Sequence, residues 1–156
     1  MTKLFLSLHV IAAVLAIGPV TVAASMFPKA LRRAHAAPGG REAYAALRLL
    51  LRICRVYAGV GIAVPVFGFA TASSLGVLGS AWLIVSILLT AAAAAVLVLL
   101  ILPAQGRALA TVSPPEADVS VHRVAGRLAM LTGVFNLLWA TVTVLMIIRP
   151  GSTTGA

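Results

Sequence analysis

The stretch Leu4–Phe27, "LFLSLHVIAAVLAIGPVTVAASMF", contains no Asp, Glu, Lys or Arg and one histidine, His9. A helix of this length rises far enough to cross a hydrocarbon core about 30 Å thick, which takes roughly 17–25 apolar residues. Three further apolar segments follow: Val56 to Ala72 and Ala81 to Leu102, which are also uncharged, and Val124 to Ile148, which carries Arg127 near its start. Over the 156 residues, 62% are hydrophobic and 10% charged, against about 25% charged in an ordinary soluble domain. That much apolar surface has no place in water, so the expected solvent is a bilayer. The expected fold is all-α, a four-helix transmembrane up-down bundle forming one integral domain over residues 1–156, with spans at 4–27, 56–72, 81–102 and 124–148.

The connections support this reading. "TASSLGVLGS", Thr71–Ser80, is short and uncharged, and suits a tight hairpin. The third segment runs into "LPAQGR" and then the polar link "TVSPPEADVS", Thr111–Ser120, where Pro114-Pro115 opposes helix. The Gly, Ser and Thr residues after Arg149 read as a loose tail.

Lys and Arg number 12 against 3 acidic residues. In a soluble chain such an excess would suggest nucleic acid; here the basic residues flank apolar runs and report orientation instead, so no nucleic-acid partner is expected. Lys29, Arg32, Arg33, Arg41, Arg48, Arg52 and Arg55 surround the first connection, and Arg107, Arg123 and Arg127 the third, whereas the opposite side has Lys3 and Arg149. The positive-inside rule places the first and third connections in the cytoplasm and both termini outside. The opening 26 residues also have the outline of a signal peptide, but cleavage would strand the basic Lys29–Arg55 segment on the outer face, so they are read as an uncleaved span.

"REAYAALRLLLRICR", Arg41–Arg55, is amphipathic: Arg41, Arg48, Arg52 and Arg55 recur at helical spacing, with Tyr44, Leu47, Leu51 and Cys54 on another face. This cytoplasmic segment before the second span either lies on the inner membrane surface or continues into that span. Its arginines anchor a helix end by snorkelling, and Arg48, Arg52 and Arg55 are candidate contacts for anionic lipid head groups at the inner face.

The spans hold no carboxylate; Glu42, Glu116 and Asp118 fall in loops or at the surface. Small proton-coupled exporters need an embedded carboxylate that exchanges proton for cation, so a transporter is the third-ranked function. One cysteine, Cys54, excludes an internal disulfide and a thiolate metal site. The embedded polar residues are His9, Ser86, Thr90, Asn136 and the threonines of the fourth span. Serine and threonine there bond their own helix or a neighbour, and Asn136 is expected to join helices. Gly18-Pro19 and Pro65 are expected to kink spans one and two. Gly59, Gly61, Gly68, Gly126, Gly133 and the Ala91–Ala95 run offer small faces for close packing within the bundle. The small-residue faces also motivate the alternative to a site-bearing protein, a non-enzymatic accessory or scaffold subunit that meets another membrane protein or a copy of itself.

His9 is the leading functional candidate. It lies about five residues into its span, roughly 7–8 Å below the outer end. His35 and His122 fall at the inner side and cannot join it. Met146 and Arg149, in "LMIIRPG" (Leu145–Gly151), fall at the outer end of the fourth span near its depth. Imidazole is a common axial ligand of haem iron, thioether is another, and a guanidinium suits a haem propionate. His9, Met146 and Arg149 are therefore the candidate cofactor site, with His9 as metal ligand if haem b is bound. Without haem, a lipid head group or a quinone ring would suit the same place.

"LHVIAAVLAIGP" at the start and "LMIIRPG" at the end resemble the pattern of small bacterial four-span membrane proteins related to the copper-resistance D (CopD) and HemJ groups. The resemblance implies a bacterial plasma membrane location and, for His9 alone, the haem binding and redox role that the HemJ group assigns to its first-span histidine. "AIGP", Ala16–Pro19, stands where those groups usually have Gly-Gly, and the Met- or His-rich segments of the copper-binding members are missing from this sequence.

Overall fold

The computed structural model describes residues 1–36, 40–111 and 118–151, with side chains left aside at 111 and 118–120. The described residues form helices and short turns: α1 (Thr2–Ala36), α2 (Arg41–Val60), α3 (Ala63–Leu75), α4 (Ala81–Ala95), a π-helical stretch (Val96–Ile101), α5 (Leu102–Thr111) and α6 (Asp118–Ile148). They make four rods long and apolar enough to cross a membrane: Thr2–Ala36, Arg41–Leu75, Ala81–Ala110 and Val121–Ile148. The rods form an up-down four-helix bundle in which the first packs on the second and fourth, and the fourth on the first and third. The N-terminus and the close of α6 at Ile148 lie at one end, and the arginine-rich segments lie at the other.

The rods exceed the apolar segments at the arginine-rich end. The amphipathic segment does not lie apart: α2 runs unbroken from Arg41 into the second rod. Leu47, Leu50, Leu51 and Cys54 are buried, and the four arginines are exposed, as their spacing requires. Tyr44, expected on the buried face, is exposed, and Ala43 packs inward in its place. The Pro114-Pro115 link and the tail beyond Gly151 lie outside the described residues.

Proline decides where the rods are irregular. Pro65 has no N–H for the carbonyl of Gly61, four residues back. That carbonyl instead accepts from Val64 N at 3.1 Å, Ile62 N donates to Gly59 O at 3.2 Å, and the helix is interrupted at Gly61–Ile62. Pro103 would meet the Leu99 carbonyl in an α-helix in the same way. There the third rod widens just before the proline, with Leu102 N donating to Leu97 O, five residues back. In α1, by contrast, the helix runs unbroken through Pro19 and Pro28. The second rod ends with Gly76 at φ 67°, a left-handed cap suited to glycine. Gly76 N donates to Ser73 O and Val77 N to Ala72 O, both at 3.1 Å. The hairpin turn is therefore confined to residues 76–80.

The core is uneven along the bundle axis. Its main body fills the arginine-rich half: Phe27 and Leu31 of α1, Leu47 and Cys54 of α2, Ile101 of the π-helical stretch and Leu128 of α6 are all 0–2% exposed. In the half that carries the termini the packing divides in two. Ala12 and Ala16 close on Val64 and reach Trp139. Ala72, Trp82 and Leu83 gather near the hairpin and receive Met146. In this half α3 packs on α1 rather than along α4.

Candidate functional site

His9 is half-buried on the face of α1 turned toward α3. Its Nδ1 lies 2.8 Å from Val64 O. A carbonyl only accepts, so Nδ1 carries the hydrogen and donates it, and in the neutral ring the lone pair resides on Nε2. The seat for the ring is Gly68, one turn along α3. A Cβ at Gly68 would stand 3.0 Å from His9 Cε1 and 3.1 Å from Nδ1, closer than side chains normally approach. Gly68 thus lets the imidazole reach the backbone of a neighbouring helix. The ring faces the second rod, not the fourth.

Met146 and Arg149 are brought together, but against the third rod. Met146 packs on the Trp82 cluster. Arg149 donates from Nε to Met146 O at 3.3 Å, and its guanidinium carbon lies 5.8 Å from the centre of the Trp82 ring. Its own N–H closes the last turn on Leu145 O at 3.0 Å, with φ at 46°. Arg149 therefore ends α6 in the left-handed region, its positive charge at the negative end of the helix dipole and over an indole face. No contact joins either residue to His9 among the described residues. The grouping expected from depth alone divides into a histidine on α3 and a Met–Arg pair on α4, because equal depth does not decide which neighbour a helix face meets.

Among the lipid-binding candidates, Arg48, Arg52 and Arg55 are exposed along α2. Arg55 reaches across to α5, where a Cβ at Gly106 would sit 3.4 Å from its Nη2, so it also joins the second and third rods. Nearby, Gln105 is completely buried, its Nε2 3.8 Å from Cys54 Sγ and its Oε1 without a hydrogen-bond partner. His35 and His122 are at this same end. No cluster of three or more potential metal-ligating side chains forms among the described residues.

The polar groups of the spans follow two patterns. Ser86, Thr71, Thr90, Thr141 and Thr143 return their hydroxyls to carbonyls four residues back on their own helix. On α6, Thr132 Oγ1, Asn136 Oδ1 and Trp139 Nε1 are buried without a partner. Asn136 Oδ1 therefore does not make the interhelical bond expected of it. Trp139 is held edge-on to Phe135, with ring centres 6.3 Å apart and planes at 71°.

Trp139 also borders a cavity of about 390 Å³ where the second and third rods diverge. Ala16 and Val20 of α1, Gly61 and Pro65 at the interruption, Leu97 of the π-helical stretch and Trp139 of α6 contribute to its wall. Hydropathy alone does not announce such a cavity. Its signal in the sequence is the pair of prolines, Pro65 and Pro103, which distort facing rods at matching heights. Gly68 was visible as a small residue, but no residue-type pattern marks a side chain that bonds a backbone carbonyl on another helix.

Comparison with protein-family models, with curated proteins and with solved structures finds no match for this chain.

Proposed function

We propose that this chain is a multi-pass protein of a bacterial plasma membrane, with both termini outside, that binds haem b through His9. The observation that carries the haem reading is the bond from His9 Nδ1 to Val64 O over Gly68. Metal-ligating imidazoles characteristically donate their second nitrogen to a carbonyl or carboxylate, which fixes the ring and makes the other nitrogen a better ligand. His9 has that partner in place, and Nε2 is the nitrogen left to bind iron. Haem, when bound, would supply one-electron redox chemistry. His9 would hold the iron, and α3 would hold the ring. Met146 and Arg149 have occupations of their own beside Trp82, so the fit rests on His9.

Absorbance of the detergent-purified protein tests the reading. A Soret band that survives washing is expected in the parent, lost in His9→Ala and strongly weakened in Gly68→Ala while both variants elute as folded protein. A colourless protein after expression with added haem precursor rejects it. The orientation is tested separately, because Cys54 is completely buried and is a poor reporter. In a Cys54→Ala background, Gly79→Cys should react with an impermeant thiol reagent in intact cells, and Tyr44→Cys should react only in opened membranes; the reverse pattern inverts the topology. At the arginine-rich face, Arg48 and Arg52 would draw anionic head groups, each contributing about 1 kcal/mol near a charged surface.

A second reading, an accessory subunit without cofactor, is favoured by the outer face of α6. Gly126 and Gly133 are exposed there with no atom within 4 Å of where a Cβ would stand. Bare glycines on a lipid-facing helix allow another helix to approach closely. A colourless protein that crosslinks through Gly133→Cys to one membrane partner or to itself would support this reading.

A further inference from the structure

We propose that the groove between the second and third rods seats one acyl chain of an anionic phospholipid, whose phosphate is held at the head of the groove by Arg55. The proposal rests on the membrane reading above and on none of the residues assigned to haem, so it holds or fails whether or not haem is bound.

The head of the groove is a seam between two rods with positive charge on both sides. Arg55 is the last charged residue before the apolar run Val56–Ala72, so it stands at the polar boundary of the second rod. Its guanidinium crosses to the third rod and lies at Gly106, where a Cβ would be 3.4 Å from Nη2. Arg52, one turn earlier on α2, and Arg107, the residue after Gly106, are exposed at the same end. Among the described residues no carboxylate pairs with Arg52 or Arg55. A guanidinium free of carboxylate at this boundary is complementary to a phosphate, which it can grip through two parallel N–H groups.

The groove lies directly below. Its wall begins at Tyr57 and Gly59, within about one turn of Arg55, and extends to Pro65. At 1.5 Å per residue this covers depths of about 3–15 Å past Arg55. On the third rod, Val98 and Ala94 lie about 12–18 Å past Gly106, at matching depth. One leaflet supplies half of a hydrocarbon core about 30 Å thick, so about 15 Å. The groove therefore has the depth that one acyl chain of the arginine-side leaflet occupies.

The wall suits hydrocarbon. It carries no charged residue and no histidine, and the Thr90 hydroxyl is committed to Ser86 O at 2.7 Å. Ile62 and Val98 are 67% and 51% exposed, so the groove opens sideways to the bilayer and a chain can enter from it. Val20 of α1 and Phe135 of α6 also belong to the wall, so a chain seated there touches all four rods, unlike a boundary lipid on the outer surface. It would fill the bundle where the side-chain core divides. The apolar wall accepts any acyl chain; the unpaired arginine above it selects a lipid whose head carries net negative charge.

Native mass spectrometry of the detergent-purified protein tests the proposal, with dioleoyl phosphatidylglycerol and dioleoyl phosphatidylcholine titrated separately. The parent should bind one phosphatidylglycerol about fivefold more tightly than phosphatidylcholine, the worth of one basic residue near a membrane surface. Arg55→Gln should remove that preference, and Arg48→Gln, two turns from the seam, should leave it unchanged. Equal losses in the two variants would mean diffuse attraction of anionic heads to the arginine-rich face without a seat, and overturn the proposal. Gly59→Leu adds a side chain where no atom lies within 4 Å, and Ala94→Phe fills the groove from the third rod; each should weaken the first lipid with Arg55 intact. Undiminished binding in both variants, eluting as folded protein, puts the chain elsewhere and overturns the assignment. A last measurement needs no groove-filling variant. In Trp82→Phe, Trp139 of the groove wall is the single indole. Phosphatidylglycerol brominated along its chains should quench it saturably, and brominated phosphatidylcholine less at the same mole fraction. Bound phosphatidylglycerol that leaves Trp139 unquenched overturns the proposal.

Discussion

The two halves of the bundle are lined inside by the same kinds of apolar residue and pack differently. At the arginine-rich half, all four rods share one core around Phe27, Leu47, Ile101 and Leu128. Toward the termini, the core divides into an Ala12–Ala16–Val64 contact and a Trp82–Leu83–Met146 contact, with the cavity beside them. The boundary between the halves falls at Gly61–Ile62, where Pro65 removes a backbone donor and the second rod is interrupted. Beyond that level α3 stays with α1 and leaves α4. The lesson is that a bundle with a uniformly apolar sequence separates into a packing half and an open half where the backbone, not the side-chain composition, changes.

The comparison can be broken most directly by truncating one large side chain in each half. Phe27→Ala, at 0% exposure in the shared core, should cost about 3–5 kcal/mol, while Leu83→Ala, at 6% in a small cluster, should fall near the lower end of the usual Leu→Ala range, about 2 kcal/mol. Unfolding in mixed micelles measures both. Equal losses would mean that the two halves are equally well packed.

A smaller effect sharpens the role of the histidine in holding the open half together. His9→Ala removes a bond between α1 and α3 and should destabilise by about 0.6–2 kcal/mol. Gly68→Ala should do similar damage by displacing the ring, yet have little further effect once His9 is already alanine. Additive losses in the double variant would show that Gly68 serves something other than the imidazole.

The smallest change is expected at Asn136. Its Oδ1 is buried without a partner, so Asn136→Leu should be neutral or stabilising by up to about 1 kcal/mol in the same unfolding assay. A loss above that size would reveal a bond from the amide that matters to the bundle.

Much of the architecture could be read from residues in order. An apolar run from Leu4 to Phe27, followed by three more of helical length, requires bundled helices, because each backbone group must be satisfied within its own segment once water is excluded. The arginine spacing of Arg41–Arg55 likewise declared an exposed face on α2, since helical periodicity is local. Pro65 announced an irregularity because its missing N–H acts on a carbonyl a fixed four residues away. The candidate site was legible only in part. His9 could be singled out as the imidazole within an apolar run, and its depth estimated from the rise of a helix. Which rod it faces could not, because rotation about a helix axis is set by the sum of contacts with every neighbour. Tertiary structure alone placed Gly68 beneath the ring, turned Met146 and Arg149 to Trp82, left the Trp139 N–H buried without an acceptor and opened the cavity beside it. Each of these depends on residues far apart in the chain meeting at one height and one angle, and only the packed bundle determines that angle.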